Sequence, residues 1–271
     1  MVAVLYSPTF LHLYSVKWEA LDYTHAYFIL PVSLYLVWSK RNQIKDTIQD
    51  TRAEGKLFGL PILLFGILMF VFGWRQIYHL ISILSLIPVL TGLIIYLYGT
   101  RVMKVLWFPV VYLLLLVPPP LGILDSITLP MRHGISSATE ILLELAQYPI
   151  SRDGLLLTIG YNDIYMGQPC SGFRSLITLL SLGLVYVYIS KISIPKKFIL
   201  SAFIVPLALV GNLFRVITLC LITFYFGEKA GQGFFHNFSG IVMFIITIIG
   251  LIGIESLLEK MSTSESPPIV K

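Results

Sequence analysis

The sequence predicts an all-α membrane protein, a polytopic transmembrane helical bundle of about seven spans, and three observations carry that reading. Hydrophobic residues make up 56% of the 271 and charged residues only 12%, about half the charge usual in a soluble domain. Mean hydropathy is +0.85. The apolar residues fall in runs of the roughly 20 that a spanning helix needs, with Lys and Arg gathered in the short stretches between them. So much apolar surface cannot be folded into one water-soluble core, and it is the opposite of a disordered composition. Two cysteines, Cys170 and Cys220, make no disulfide scaffold. The net charge of +5 is a topology signal, because no basic stripe is interleaved with aromatics, and no nucleic-acid partner is expected.

Spans are expected at roughly 22–39, 57–73, 77–98, 105–121, 170–190, 198–225 and 238–258. Val2–Tyr14 is short for a span and reads as interfacial; pairing it with another weak segment would make eight. Met1 to Trp18 has neither a charged start nor a small-residue cleavage site, so no cleavable signal peptide is expected. With seven spans, twelve basic residues fall on one side: Lys40, Arg41, Lys45, Arg52, Lys56, Arg101, Lys104, Lys191, Lys196, Lys197, Lys260 and Lys271. Five fall on the other: Lys17, Arg75, Arg132, Arg152 and Lys229. The richer side faces the cytoplasm, which puts the N-terminus outside and makes this a multi-pass protein of the cytoplasmic membrane. Arg174 and Arg215 are left within predicted spans.

Between the fourth and fifth spans runs an extracytoplasmic segment, about 122–168. After Pro130 it reads as a short amphipathic helix lying in the interface, with Ile135, Ile141, Leu142 and Leu145 against Arg132, Glu140 and Glu144. A β-hairpin follows: Leu155, Leu157 and Ile159 lead into Gly160-Tyr161-Asn162-Asp163, and Ile164, Tyr165 and Met166 return. If 131–148 were a span instead, every later loop would change sides. The polar tail Ser262–Pro268 reads as disordered.

Ionisable groups inside a span cost at least ~2.5–3.5 kcal/mol near a helix centre, so they point to function. Pro169-Cys170-Ser171-Gly172-Phe173-Arg174 opens the fifth span. Pro169 suits a first helical position, so Cys170 sits at the positive end of the helix dipole, which stabilises a thiolate. Arg174 lies one turn on along the same face, and Gly172 leaves room for another backbone. Asn212 and Arg215, spaced i, i+3, share a face of the sixth span. His236 begins the seventh span on the side of Cys170. Taken singly, each has a bland reading: a small buried thiol, arginines that snorkel or pair with carbonyls, a packed histidine. Together they put a thiol, a guanidinium and an imidazole near the outer leaflet on three consecutive spans. Cys220, about 140° around the helix from Arg215, is read as packing.

A thiol attacks as thiolate, an imidazole takes and returns its proton, and an arginine or a backbone donor holds an oxyanion. These are the parts of acyl transfer at a peptide bond. No second His or carboxylate joins the cluster, so no metal and no cofactor is expected. The competing reading is a transporter or flippase for an anionic lipid-linked sugar bound by the two arginines, although no repeated, Gly/Pro-interrupted halves are visible.

These motifs resemble those of the exosortase/archaeosortase family of integral-membrane cysteine transpeptidases: Cys-Ser-Gly-x-Arg at Cys170 to Arg174, Asn-x-x-Arg at Asn212 to Arg215, and His followed by Ser-Gly at His236 to Gly240. The resemblance covers roughly 105–258, including Pro118-Pro119-Pro120-Leu121, the hairpin and the approach to His236. Phe173 departs from the usual leucine. The resemblance divides the chain into generic transmembrane helices (1–104), a catalytic transmembrane core (105–258) and a cytoplasmic polar tail (259–271). It implies that Cys170 is the nucleophile, Arg215 the transition-state stabiliser and His236 the general acid/base, with Arg174, Asn212, Ser171 and Gly172 supporting or binding substrate. Which arginine meets the oxyanion stays open. The implied partners, besides membrane lipids, are secreted proteins ending in a sorting tail: a short motif such as Pro-Glu-Pro, a hydrophobic span and an Arg-rich end. The acceptor is not specified.

Overall fold

The computed structural model describes residues 2–18, 26–50, 55–117, 121–166, 173–227 and 234–264, and the chain divides into two compact units, Met1–Pro119 and Pro120–Lys271. Among the described residues, Lys56–Arg75, His79–Tyr98 and Ile194–Phe226 are helical stretches long and apolar enough to cross a bilayer; Ala26–Ser39 and Ile177–Ile189 are shorter apolar helices. A small antiparallel sheet of three strands accompanies them.

The first unit runs α1 (Val2–His12), a π-helical turn (Leu13–Trp18), α2 (Ala26–Ser39), α3 (Arg41–Asp50), α4 (Lys56–Arg75), α5 (His79–Leu84), α6 (Leu86–Tyr98) and α7 (Thr100–Tyr112), which tightens into a 3-10 turn at Leu113–Leu116. Glycines join α4 to the α5–α6 stretch. Gly59, Gly66 and Gly73 recur every seven residues. A Cβ on them would lie 2.4 Å from Tyr96 N, 2.7 Å from Val89 N and 2.5 Å from Ser82 N respectively, and one on Gly92 2.3 Å from Leu63 N. Only hydrogen side chains permit that backbone approach, the usual basis of helix pairing in lipid. The opposite face of α4 exposes Leu57, Phe58, Leu64, Phe65, Leu68 and Phe72, a surface suited to acyl chains rather than water.

Val2–Tyr14, read from sequence as interfacial, forms a helix whose Tyr6, Thr9 and Leu13 are buried. Tyr6 Oη lies 2.6 Å from Ser85 Oγ, and Thr9 Oγ1 3.2 Å from Ser82 Oγ. The expected fourth span, 105–121, instead ends at Leu116, and Val117 is extended at φ −80°, ψ 110°. Val117 precedes Pro118, whose ring disfavours the helical region for the residue before it.

The second unit runs α8 (Leu121–Leu145), β1 (Ile150–Asp153), β2 (Leu156–Ile159), β3 (Asn162–Tyr165), α9 (Phe173–Ile189), α10 (Ile194–Phe226) and α11 (Phe234–Ser264). α8 corrects the expected interfacial helix in two respects. It starts nine residues ahead of Pro130 and passes through that proline. Its buried stripe is partly polar, with Thr128, Arg132, Ser136 and Thr139 inside, while Ile141, Leu142 and Leu145 are exposed. Local hydrogen bonds make this possible, since Arg132 Nη2 donates to Thr128 Oγ1 at 2.9 Å and Ser136 Oγ to the His133 carbonyl at 3.0 Å.

The sheet extends the expected hairpin by one strand. β1 pairs with β2 and β2 with β3, through two-residue turns at Gly154-Leu155 and Gly160-Tyr161. Both glycines have φ +61°, the left-handed backbone that tight hairpin turns require at their first central residue. Leu157 and Ile159 on β2 and the adjoining Met166 pack with Ile135 and Leu143 of α8 and Val216 and Cys220 of α10. Arg152 Nε meets Glu140 Oε2 at 2.8 Å, tying β1 to α8. α9, α10 and α11 pack on one another. α11 runs to Ser264, past the point where the polar tail was expected to lose structure.

Candidate functional site

Each sequence motif belongs to one of these three mutually packed helices. The Cys170 motif leads into α9, Asn212 and Arg215 stand in α10, and His236 is the third residue of α11. Cys170, Ser171 and Gly172 lie outside the described residues; Arg174 and His236 are placed by the helices that carry them, as the second residue of α9 and in the first turn of α11. Arg215 and Asn212 are both buried, 6% and 2% exposed.

Helix register sets the relative depth of these positions. Gly183 of α9 meets the side chain of Ile204 on α10, and the two helices are joined by only four residues, 190–193, so they run antiparallel. α9 begins ten residues before Gly183, and Arg215 comes eleven after Ile204. Arg215 is therefore level with the start of α9 to within about 2 Å. On the other side, Gly211 meets Met243 and Thr247 while Gly250 meets Leu207, which fixes α11 antiparallel to α10. Counting out from that contact, the level of His236 is about five residues, or about 7 Å, beyond Arg215. The starts of α9 and α11 and the buried Arg215 thus lie at neighbouring levels on the same end of one three-helix unit.

α10 continues eleven residues past Arg215 to Phe226, and this projecting end is where the sheet is seated. Asn162 Nδ2 donates to the Thr223 carbonyl at 3.4 Å, Tyr148 Oη lies 3.1 Å from Tyr225 Oη, and Gly160 lies against the Phe224 ring. Met166 N donates to the Leu155 carbonyl at 2.8 Å, so the chain is held in the sheet four residues before Cys170. Cys220, fully buried, belongs to the cluster under the sheet, in keeping with a packing residue.

Asn212 is chemically unusual. Among the described residues, neither its Oδ1 nor its Nδ2 has a hydrogen-bond partner. Leaving such groups buried and unpaired costs about 1–3 kcal/mol each, and hydrocarbon supplies no water to compensate. With the end where α9 and α11 begin taken as the outer one, α9 and α11 border, inward of Asn212, an apolar groove lined by Leu179, Leu182 and Tyr186 on one side and Phe244, Ile248 and Leu251 on the other. By the same register, the outer end of the groove, at Phe244, is level with Asn212. Near the inner end, Tyr186 Oη and Ser190 Oγ both donate to the Glu255 carboxylate.

Sequence reasoning missed two polar features of this unit. The buried Arg132–Thr128 pair gave the pattern of an ordinary amphipathic helix. The Glu255 carboxylate, in Gly-Ile-Glu-Ser, falls inside the expected span 238–258, where one acidic residue among so many apolar ones hardly lowers the mean hydropathy. A family model described as Transmembrane exosortase (Exosortase_EpsH) matches residues 18–253, which takes in most of the N-terminal helices as well as the motif-bearing stretch. No match was found among curated proteins or among solved structures.

Proposed function

The chain belongs to the transmembrane exosortase family, and from that premise we propose that it is a cysteine peptidase or transpeptidase that cuts sorting tails from secreted proteins at the outer face of the cytoplasmic membrane. The observation that carries this reading is that the start of α9, Arg215 and the start of α11 lie at neighbouring levels on one end of a packed unit. A bundle held together only by packing has no need of a buried guanidinium at the end where the helix after the Cys170 motif and the helix carrying His236 begin.

In this reading His236 takes the proton of the Cys170 thiol, and the sulfur attacks the scissile carbonyl carbon. As the C–S bond forms, the carbonyl π pair moves to oxygen, where Arg215 stabilises it. Collapse of this intermediate breaks the C–N bond, and the departing amine takes the proton from His236. The tail leaves, and the secreted portion remains as a thioester on Cys170. Water or an acceptor amine then attacks the thioester, giving its proton to His236, and the thiolate is released and reprotonated. The substrate's hydrophobic span would lie along the groove between α9 and α11, with its basic end at the cytoplasmic face.

The test is processing of a co-expressed protein from the same genome that ends in a motif, a span and a basic tail, followed by its size. Wild type is expected to shorten it. Cys170→Ala, Arg215→Ala and His236→Ala are expected to leave it intact while still inserting into the membrane. Shortening by Cys170→Ala would overturn the mechanism and favour carriage of an anionic lipid-linked sugar.

A further inference from the structure

A buried carboxamide with both ends vacant is half of a hydrogen-bonded pair. Asn212 is 2% exposed and, among the described residues, has no partner for Oδ1 or Nδ2. An amide side chain offers an acceptor and two donors and carries no charge. The group that matches it is another amide, with one N–H and one C=O presented together, as in a main-chain peptide unit. A phosphate group offers acceptors alone and would leave Oδ1 unmatched.

The depth of Asn212 says which peptide unit. It precedes Arg215 by three residues on a helix that runs outward, so it lies about 4.5 Å deeper, at the level of the groove's outer end. A substrate passing from the groove toward Cys170 meets Asn212 before it meets Arg215. To be cut, that stretch must be extended rather than helical, and its peptide groups then have no partners of their own in lipid. Resting on the peptidase reading above, we propose that the Asn212 carboxamide pairs with a main-chain peptide group of the substrate on the tail side of the scissile bond, holding that segment unwound.

The probe is a synthetic peptide with the motif, span and basic end of such a protein, presented to the full-length protein in phosphatidylethanolamine–phosphatidylglycerol vesicles. Processing that does not depend on Cys170 would remove the peptidase reading and this inference with it. Given Cys170-dependent processing, Asn212→Leu, close to it in volume, is expected to melt no lower than wild type, because a vacant buried amide has been replaced by an apolar group. Its KM is expected to rise about tenfold or more. Peptides carrying a single amide-to-ester replacement along the first few tail-side residues supply the second readout. One such ester should slow wild type and leave Asn212→Leu unchanged. Wild-type KM in Asn212→Leu, or esters that slow both proteins equally, would overturn the inference; a lower melting temperature with unchanged KM would make Asn212 a structural residue.

Discussion

The two units treat buried hydroxyls and amides differently. In the Met1–Pro119 unit the hydroxyls of Tyr6, Thr9, Ser33, Ser82 and Ser85 are all hydrogen-bonded, Ser33 Oγ to the Pro109 carbonyl at 2.9 Å. Its long helices meet through glycines, backbone against backbone. In the Pro120–Lys271 unit Asn212 and the Thr139 hydroxyl are buried without partners among the described residues, and an arginine lies within a helix otherwise suited to lipid. Hydroxyls that satisfy one another have nothing left for a ligand. A buried amide left vacant costs stability, and its matching partner has to come from elsewhere.

That contrast predicts that substitutions in the second unit cost activity, and those in the first cost stability. The largest effect is expected at Arg215. Arg215→Ala should lower processing about 10²–10³-fold, the usual loss when one oxyanion donor is removed, with insertion and melting near wild type; single-turnover assays beside thermal melts will read both. Next comes Gly92→Val, whose Cβ would lie 2.3 Å from Leu63 N. It should destabilise by at least about 3 kcal/mol, seen as a clear fall in melting temperature, while the fraction that remains folded turns over normally. Normal melting in this variant would break the comparison.

Cys220→Ala sharpens it from the other side. A fully buried thiol under the sheet should cost about 1 kcal/mol and leave processing intact, and loss of activity without loss of fold would move Cys220 into the site. The smallest effect is expected for Arg152→Ala. The pair with Glu140 is about a quarter exposed, so its loss should cost under about 1 kcal/mol, measured by chemical denaturation.

Much of this was legible in the sequence. Apolar runs located the long helices, Gly160 located the β2–β3 turn, and the spacing of Asn212 and Arg215 put both on one buried face. The β1–β2 turn carried an equally good signal in Asp153-Gly154, but the polar Ser151-Arg152-Asp153 hid the strand before it. α8 was harder to read because hydropathy measures lipid against water. It does not register that a threonine can accept an arginine's hydrogen bond inside the protein. The helix end at Val117 follows from one proline and could have been drawn from Pro118 alone. The meeting of α4 with the α5–α6 stretch was written in the seven-residue recurrence of Gly59, Gly66 and Gly73, which becomes meaningful only with the partner helix present. For the site, sequence supplied residue types and order, while the levels of α9, α10 and α11 needed contacts such as Gly183 with Ile204.

The clasp on Glu255 has a mechanical consequence. A hydroxyl from α9, that of Tyr186, and the hydroxyl of Ser190 just after it grip one carboxylate of α11, while the seam between these helices further out is lined mainly by aliphatic and aromatic groups. Such a seam behaves like a clothes-peg. Its inner end is the pivot, and any widening grows with distance from that pivot, so the jaws are the ends where α9 and α11 begin. Spin labels at the two ends of the seam would show the broader distance distribution at the jaws, and Glu255→Leu would make the two ends alike.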